Sequence, residues 1–564
     1  MKLIFKNEIK TSSTIDEKEI IELLLKERKI KDKPEFLNPI SPLKINLTDF
    51  EKKYSTSFKK VIKILKKIKE NSQTVVIYSD YDADGITGAA ILWETLHLLG
   101  FKVMPYVPHR KLEGYGFSIK GIDNIKNQFN PKLVISVDHG ISAKEKIVYA
   151  KSLGISVIVT DHHIKPKEIP DSAEAIFHIP VLSGSGVAYF FAKEIFKNST
   201  FHPANGGTNF KLLEDNFKTD YLALAAIGTI ADMVPLVGPS RSIVKHGLEA
   251  FSRVKRHGIN QILKEAGIEN KKITPYEIGF IIGPRINALG RLEHAIDALR
   301  LLCTTSEARA FELASKVGGK NRERQDMVKK AVEEAVRLVQ KSQSAIRNQK
   351  LLILVSDNWS EGIIGLIAAK IVEKYYRPAL VMTKSDGYLK GSARSIPELD
   401  ITEFLRSLKD HLIDVGGHKQ AAGFTLEKTK LNKFIKQAQE RANKLLKDKN
   451  LEPKLEVDLK IPLSKVTLKL AKLLEALEPF GMGNLQPTFC SNVEIVHIQI
   501  FGKNNNHLKI FAKDPNGNSS PLELISFFKA ENVSEFTKGK TTEIVYNLMV
   551  DRWGNREILR GKIK

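Results

Sequence analysis

The sequence has little cysteine and no long, uninterrupted apolar run. Its two cysteines, Cys303 and Cys490, are far apart in apolar company, which excludes a disulfide framework and a thiolate zinc site. The stretch 1–10 alternates charged and apolar residues, so we do not expect a signal peptide. The most apolar stretch, 221–238, is broken by an aspartate and a proline and is not expected to span a membrane. We therefore expect a soluble, cytoplasmic protein.

Internal repeats, low-complexity tracts and a phosphate-binding loop are also missing. The 564 residues are 42% hydrophobic and 27% charged, an ordinary globular composition that excludes disorder as the main state. Lysine and arginine total 88 against 65 acidic residues, a net charge of +23. Such a charge favours a polyanionic partner, with nucleic acid as the first candidate. The alternative is a lysine-rich proteome in which every surface is basic.

The pattern along the chain predicts several domains. Residues 1–50 are charged and punctuated by proline, as in a lead-in arm. Residues 51–305 begin with an amphipathic helix over 57–70 and then alternate short apolar runs, such as TVVIY at 74–78, with helical stretches such as 86–99. Strand–helix alternation of this kind predicts a parallel sheet with helices on both faces.

The predicted secondary structure changes twice in the second half of the chain. Residues 306–345 predict a long connecting helix, with the glycines at 318 and 319 as an interruption. Residues 346–448 contain a second strand–helix–strand unit and predict another α/β domain. Residues 449–564 alternate short apolar segments with Asn- and Gly-rich turns, which predicts a small all-β barrel.

An acidic cluster follows the first predicted strand of the parallel sheet. Asp80, Asp82 and Asp84 lie within five positions, and such a group persists only where cations or water neutralise its repulsion. Further acidic or imidazole groups follow later strands or lie in apolar segments; they are Asp138, Asp161, His162, His163 and Asp232. In open parallel sheets, ligands bind outside the carboxyl ends of the strands, so we expect these side chains to meet there.

The donor types indicate the metal and the reaction. Carboxylates outnumber imidazoles and no thiolate is available, a mixture that suits Mn²⁺ or Mg²⁺. There are enough ligands for two divalent cations, which together can activate water and stabilise the leaving oxygen in phosphoryl transfer. The residues alone therefore predict a two-metal phosphoester hydrolase.

The triplet 161–163 (DHH), with the acidic cluster, Asp138 and Asp232, resembles the signature of the DHH phosphoesterase superfamily. Further segments resemble RecJ-type exonucleases within it; they are 283–291 (GPRINALGR), 392–395 (SARS), 416–418 (GGH), and 477–481 (LEPFG) with 483–484. The similarity runs from about residue 70 to the carboxyl end. It implies a DHH catalytic domain, a connecting helix, a DHHA1 domain and an OB-fold.

The resemblance also implies roles for the site residues. The metal ligands would be Asp82, Asp84, Asp138, His162 and Asp232. Asp138 would bridge two ions, and Asp80 would be a further ligand or lie just behind the ligands. His163 would contact the scissile phosphate, and Asp161 would orient the histidines.

A second set of residues would bind DNA phosphates; it comprises Arg110, Arg285, Asn287, Arg291, Ser392, Arg394, Gly416, Gly417 and His418. Arginine is planar, always charged and bidentate, and glycine lets the backbone approach a phosphate closely. Arg110 would bind a 5′ phosphate or exclude duplex. In the barrel, five phenylalanines interleave with lysines, as in OB-folds that bind single strands, and at least half of them are expected in the core; they are Phe489, Phe501, Phe511, Phe527 and Phe528.

The resemblance thus implies a monomeric 5′→3′ exonuclease of single-stranded DNA that releases 5′-mononucleotides in repair and recombination. Single-strand-binding protein and a RecQ-type helicase would be its partners. Two enzymatic alternatives are a phosphodiesterase for short oligonucleotides or cyclic dinucleotides and a pyrophosphatase. An alternative of another class is a non-catalytic DNA-binding scaffold, but every expected metal ligand is present.

Overall fold

The computed structural model describes residues 2–10, 13–202, 208–341, 349–385, 387–517, 520–554 and 556–564. The amino-terminal segment contains strand β1 (Lys2–Phe5) and the helices Glu17–Glu27, Lys33–Leu37 and Leu47–Phe50. The helix Glu17–Glu27 begins at a capping box, in which the Asp16 and Glu19 side chains accept hydrogen bonds from each other's backbone amides. In the described part of the chain, none of the helices combines the length and the apolar character that crossing a membrane requires.

The predicted catalytic region, residues 51–305, is built on a five-stranded parallel sheet, as predicted. Its strands are β2 (Val75–Ser79), β3 (Val103–Tyr106), β4 (Leu133–Val137), β5 (Ser156–Asp161) and β6 (Ala175–His178), in the order β3-β2-β4-β5-β6. All residues of β2 and β4 are buried, because helices cover both faces of the sheet. The carboxyl ends of β2, β4 and β5 therefore meet at one edge.

Helices and a few short turns surround this sheet. The α-helices are Tyr54–Glu70, Ala83–Leu98, Arg110–Glu113, Ile119–Phe129, Lys144–Ser152, Gly184–Lys197, Thr208–Lys218, Asp220–Ala231, Gly238–Ala250, His257–Glu265, Pro275–Glu277, Gly283–Leu292 and Ile296–Cys303, with a π-helical turn at Ile278–Ile282. The 3₁₀ turns of the described chain are Pro42–Lys44, Ser199–Phe201, Phe251–Arg253, Lys409–His411, Lys428–Lys430, Leu463–Lys465 and Ala530–Glu535.

The connecting helix Glu307–Lys341 runs without a break through both of its glycines, so the predicted interruption is wrong. Gly318 faces Glu265 so closely that a Cβ there would lie 2.0 Å from the carboxylate. Glycine occurs at this point because helix Glu307–Lys341 packs tightly on helix His257–Glu265, and the packing compensates for its poor helix propensity.

The second α/β region has a mixed sheet. Its strands are β7 (Leu352–Val355), β8 (Ala379–Ser385), β9 (Tyr388–Arg394), β10 (Leu412–His418) and β11 (Ala421–Glu427), in the order β10-β11-β9-β8-β7. Its helices are Ile364–Tyr375, Ile401–Arg406 and Leu431–Leu445. Only β7 and β8 run parallel, so the predicted strand–helix–strand unit is one part of a sheet that is otherwise antiparallel.

The carboxyl-terminal region is a small barrel, as predicted. Its strands are β12 (Lys454–Val457), β13 (Leu459–Lys460), β14 (Thr488–Phe501), β15 (His507–Lys513), β16 (Leu522–Ser526), β17 (Thr541–Trp553) and β18 (Arg556–Ile563), with one helix at Leu468–Glu475. The order β13-β14-β15-β16-β18-β17 is closed by a further pairing of β14 with β17.

The amino-terminal segment belongs structurally with this barrel. β1 pairs in parallel with β12, and Ile20, Leu24 and Phe36 share one apolar core with barrel residues. A lead-in arm would not contribute to a distant core. The amino-terminal segment up to Leu37 is therefore part of the carboxyl-terminal region, whereas Ile45 and Leu47 belong to the core around the parallel sheet; the sequence pattern indicated neither.

Candidate metal centre

The acidic loop after β2 is held by the start of the helix that follows it. Asp82 caps helix Ala83–Leu98, and its Oδ1 accepts hydrogen bonds from the amides of Asp84 and Gly85 at 3.0 and 3.1 Å. A Cβ at Gly85 would lie 2.9 Å from the backbone of Asp80, so only glycine allows the loop to close this tightly. The loop places three carboxylates at the edge of the sheet.

Asp84 and Asp138 are fixed against a second helix start. Both Asp84 oxygens accept backbone amides at the start of helix Gly184–Lys197, from Gly184 at 2.6 Å and from Ser185 at 2.9 Å. Asp138 follows β4 with a left-handed backbone, at φ +67°. A Cβ at Gly184 would lie 2.4 Å from the Asp138 Cβ, so this glycine makes room for the carboxylate.

Asp161 organises the histidine pair rather than facing the other carboxylates. Its Oδ2 accepts the Ile141 amide at 2.8 Å, and its Oδ1 accepts the His162 amide at 2.7 Å and His163 Nδ1 at 2.8 Å. Burial disfavours a charged His163, but the hydrogen bond and charge of Asp161 outweigh it and raise the His163 pKa to about 9. The contact with Asp161 therefore favours the protonated form of His163 in the metal-free protein.

Three overlapping groups of side chains could each hold a divalent ion; they are Asp80, Asp82 and Asp138; Asp84, His162 and Asp232; and Asp138, His162 and His163. His162 Nε2 lies 3.1 Å from Asp138 Oδ1, 3.5 Å from Asp232 Oδ2 and 3.9 Å from Asp84 Oδ2. Asp138 and His162 each belong to two of the groups, and the bridging role of Asp138 stays a prediction. All five predicted ligands are thus brought together.

Several atoms of this cluster are buried without a hydrogen-bond partner in the described chain. They include Asp80 Oδ1, and also Asp138 Oδ1 and His162 Nε2, which lie 3.1 Å apart but are not aligned as a hydrogen bond. A buried polar atom without a partner is costly, and a coordinating ion would remove that cost. Hard carboxylate donors with one or two imidazoles fit Mn²⁺ or Mg²⁺.

The electrostatics of the cluster also require a cation. Burial, followed by repulsion from neighbouring carboxylates, raises the pKa of Asp80, Asp82 and Asp138 above the ordinary range and that of Asp232 to about 8. Burial lowers the pKa of His139 to about 4, so this neighbour of Asp138 is neutral. Ionising all of these carboxyl groups together is therefore costly in the protein alone, and a bound cation would favour their ionised form.

Helix Gly283–Leu292 lies beside the acidic loop, and its polar side chains contact different partners. Asn287 Oδ1 accepts the Ala83 amide at 2.7 Å, so Asn287 holds the acidic loop in place. Arg285 forms an ion pair with Glu265 at 2.8 Å and also donates to the Ile281 carbonyl. Local partners thus hold the Asn287 amide oxygen and two nitrogens of Arg285, and the phosphate contacts of both residues stay predictions.

Four arginines from four different elements form a cationic cluster beside the acidic loop. They are Arg110, Arg291, Arg324 and Arg394, and none has a carboxylate partner in the described chain. Burial, followed by the charges of Arg110 and Arg324, lowers the pKa of Arg291 to about 10. Arg110 and Arg291 line one small cavity with Gly362, and Arg110 lies 5.1 Å from the Tyr81 ring centre. Guanidinium groups without a carboxylate partner are suited to binding an anion.

One face of the second sheet is exposed and has few bulky side chains near its glycines. Gly416, Gly423 and Ser392 lie in register across β10, β11 and β9, and no atom would contact a Cβ on either glycine. His418, Ala421 and Arg394 form the next row on the same face. Gly417 has φ +151°, and a Cβ there would lie 2.3 Å from the Ala421 carbonyl. The predicted residues Ser392, Arg394, Gly416 and His418 thus share one surface.

Three further residues belong to these surfaces and were not assigned from the sequence. The Tyr115 hydroxyl lies 3.0 Å from His163 Nε2 and donates to the Asp138 carbonyl at 3.3 Å. Arg324 lies in a helix rich in basic residues, and nothing in the sequence sets it apart. Gly423 could have been found from the strand alternation, which places it opposite Gly416.

Comparisons with known proteins agree with this architecture. Family models match residues 74–229 (DHH family, N-terminal domain), 348–444 (DHHA1 domain) and 457–564 (RecJ OB domain). The fold and the metal centre define a DHH-type phosphoesterase.

Curated relatives narrow the assignment. A single-stranded-DNA-specific exonuclease RecJ from Salmonella typhimurium is 30% identical over 86% of this chain and 86% of its own length. The chain belongs to the RecJ family. The Bacillus subtilis RecJ is 35% identical over 87% of this chain, which spans 61% of that longer relative, and the Haemophilus influenzae RecJ is 28% identical over 99% of this chain and 98% of its own length.

Solved structures support the fold. The RecJ of Thermus thermophilus in complex with Mn²⁺ matches all of this chain and 79% of its own, with a TM-score of 0.78 and 24% identity. A second crystal structure, an exonuclease RecJ bound to manganese, is 30% identical over 69% of this chain and 95% of its own, with a TM-score of 0.57. The sequence-based expectations of fold and family are confirmed, and the described residues include buried carboxylate–imidazole groups that could hold a divalent ion.

Proposed function

We propose that this protein is a single-stranded-DNA-specific exonuclease that hydrolyses phosphodiester bonds at a two-metal centre. The observation that carries the proposal is the juxtaposition of two unbalanced charge clusters. A carboxylate–imidazole cluster with unpartnered ligand atoms lies next to four arginines that lack carboxylate partners in the described chain. A phosphodiester bridged between a cation-loaded centre and these arginines would balance both clusters.

The chain supports hydrolysis through several side chains. Asp80, Asp82, Asp84, Asp138, His162 and Asp232 would hold two divalent cations, which supply an activated water and stabilise charge on the scissile phosphate. His163, kept protonated by Asp161, would contact a phosphate oxygen and stabilise the charge that develops there. Tyr115 restrains His163 from the other side and so fixes the ring.

We assign polarity to the arginine cluster. Arg110 and Arg291 from the catalytic region, Arg324 from the connecting helix and Arg394 from the second sheet would bind the phosphate at a 5′ end. Because the cluster lies beside the acidic loop, a strand whose 5′ phosphate is bound there would present its first phosphodiester bond to the metal ions. This supports 5′→3′ digestion with release of 5′-mononucleotides, as in repair and recombination.

The barrel would hold the strand beyond the metal centre. Phe489 is fully buried, whereas Phe527 and Phe528 are 40% and 71% exposed. These two exposed rings and Phe501 surround His507, and Lys509 and Lys562 lie within 6 Å of ring centres in this group. Exposed aromatics beside lysines support single-strand binding by stacking and charge.

The remaining predictions concern location and partners. We propose a monomer that acts in the cytoplasm with single-strand-binding protein and a RecQ-type helicase. The alternative function, a phosphodiesterase for short substrates, does not explain the barrel or the net charge of +23.

The proposal is tested by digesting single-stranded DNA labelled at either end in Mn²⁺, with a blunt duplex alongside. Wild type should release mononucleotides from the 5′ end of single strands only. Asp138→Ala should abolish this, while Asp410→Ala, which removes an exposed carboxylate in the second domain, should not. Hydrolysis of dinucleotides without digestion of long strands would transfer the protein to the short-substrate phosphodiesterases.

A further inference from the structure

Both ring nitrogens of His163 have a partner within the protein. Nδ1 lies 2.8 Å from Asp161 Oδ1, and Nε2 lies 3.0 Å from the hydroxyl oxygen of Tyr115. An imidazole ring has no other polar atoms. A phosphate oxygen can therefore form a hydrogen bond with His163 only by taking the place of one of these two partners.

Asp161 is the partner that stays. Its side chain is buried, and it also accepts hydrogen bonds from the backbone amides of Ile141, His162 and His163. Moving it away would leave these amides without an acceptor, which costs more than the hydrogen bonds themselves contribute. The position on His163 that an incoming phosphate can take is therefore the one that Tyr115 occupies.

The contacts of Tyr115 allow it to leave. The residue is 50% exposed, and its hydroxyl donates to the Asp138 carbonyl at 3.3 Å, a long hydrogen bond. Its ring meets those of His163 and Tyr81 only at their edges, with centres 5.9 and 6.3 Å apart. Its chain neighbours, the glycines at 114 and 116, have φ of +86° and +61°. Glycine visits both signs of φ readily, so the backbone on either side of Tyr115 can rearrange at low cost.

The segment before Tyr115 is anchored separately. Helix Arg110–Glu113 ends on a carboxylate that accepts the Tyr106 hydroxyl at 2.5 Å and the His109 amide at 3.0 Å. Both contacts lie before the two glycines. Tyr115 can therefore turn away from His163 while Arg110 keeps its place in the arginine cluster.

We propose that Tyr115 occupies the phosphate position on His163 while no DNA is bound, and that the scissile phosphate displaces it, an inference that rests on the proposed exonuclease function. Hydrogen bonds to a charged acceptor are stronger than those to a neutral hydroxyl, so a phosphate held at the metal centre wins the exchange. Tyr115 thus keeps the His163 ring oriented before the strand arrives. Breaking its hydrogen bonds weakens phosphate binding, and that cost is recovered only by a ligand that contacts His163.

The test is calorimetric titration with inorganic phosphate in Mg²⁺, a ligand that the enzyme cannot hydrolyse. Tyr115→Phe keeps the ring but removes both hydrogen bonds of the hydroxyl, so it should bind phosphate about fivefold more tightly than wild type, the order expected for one hydrogen bond that no longer has to be broken. In a His163→Ala background the same substitution should no longer tighten binding. This comparison separates the exchange at His163 from phosphate bound by the arginine cluster.

Tyr388→Phe is the matched control. Tyr388 is 46% exposed and lies on β9 six residues from Arg394, about 20 Å along the strand, so its loss of a hydroxyl should leave the Kd for phosphate unchanged.

The sign of the effect decides the proposal. Weaker binding in Tyr115→Phe would show that the hydroxyl itself contacts the phosphate, and an unchanged Kd would show that Tyr115 does not compete with it; either result overturns the displacement, as does a wild type that binds no phosphate. These measurements do not depend on hydrolysis. If Tyr115→Phe binds phosphate more tightly but wild type digests no single strand, the displacement stands and the failure belongs to the proposed function.

Discussion

The molecule contains two buried groups of charge that differ in how their polar atoms are satisfied. Arg241 is fully buried, and its guanidinium donates to the carbonyls of Phe36, Leu477, Glu478 and Pro479. It also lies 3.9 Å from the Phe36 ring centre. The protein itself therefore supplies a hydrogen-bond acceptor for each nitrogen of the guanidinium group and an aromatic ring against its plane.

The metal centre is the opposite case. Its carboxylates repel one another, and several of its ligand atoms have no partner in the described chain. Arg241 joins the amino-terminal segment, the catalytic region and the segment that leads into the barrel, so its role is architectural. A buried charge that the fold satisfies stabilises the fold, whereas one that the fold leaves unsatisfied indicates a missing ligand.

The largest expected effect on stability comes from replacing Arg241, the buried charge whose hydrogen bonds the protein satisfies. Arg241→Met keeps much of the volume but removes a donor from four carbonyls, of which only those of Leu477 and Pro479 keep a second donor in Asn484 Nδ2, so we expect a loss of about 3–5 kcal/mol in the free energy of unfolding. Urea denaturation measures it. Arg309→Met, at an exposed ion pair on the connecting helix, should cost less than about 1 kcal/mol. Equal losses in the two variants would contradict the architectural role.

Removing a carboxylate from the metal centre should raise the free energy of unfolding of the metal-free protein, whereas removing Arg241 should lower it. Asp232→Asn removes one of several repelling carboxylates, so the metal-free variant should be more stable than wild type by about 1–2 kcal/mol at pH 8. Added Mn²⁺ at 100 times its Kd should stabilise wild type by about 2.7 kcal/mol, and the Asp232→Asn variant by much less. Thermal melts with and without Mn²⁺ measure both effects. A metal-free Asp232→Asn variant less stable than wild type would contradict the repulsion between the carboxylates.

The pH dependence sharpens the same contrast. The folded pKa of His163 is raised to about 9, above its unfolded value, so its contribution to stability is complete below about pH 6.5 and is lost as the pH rises through 9. Metal-free wild type should therefore lose about 1–2 kcal/mol over that range. His163→Gln should lose less over the same range. Urea titrations at both pH values provide the measurement, and parallel curves would exclude the effect.

The smallest expected effect concerns the arginine cluster. Arg324→Gln should weaken binding of single-stranded DNA by about fivefold at low salt and reduce the dependence on salt by roughly one ion. Arg309→Gln on the same helix removes the same charge and should change neither. Fluorescence anisotropy over a salt series tests both variants, and identical salt slopes would remove Arg324 from the cluster.

Several features followed from local sequence pattern. Buried runs such as β2 and β4 are continuous apolar segments, and the carboxyl ends of parallel strands must share one edge, so Asp82, Asp138 and His162 could be grouped in advance. The roles of individual site residues remain predictions that mutagenesis must decide. The connecting helix was predicted in extent but not in continuity, because propensity at Gly318 carries no information about Glu265.

Other features depend on contacts between distant segments. Arg285 matched the phosphate-binding motif, yet Glu265, 20 positions away, forms its ion pair. Arg324 joins the arginine cluster only because the connecting helix packs beside helix Gly283–Leu292.

The sequence by itself determined the chemistry: which donors are available, how they are spaced after strands, and that two hard cations suit them. Periodicity and residue type are local properties, so they can be read along the chain. Only the tertiary structure decided which charges are satisfied. The partners of Arg241 lie more than 200 positions away, and the arginines without carboxylate partners in the described chain come from four separate elements. Neutralisation of a charge depends on distance and burial in three dimensions, and neither is encoded in neighbouring residues.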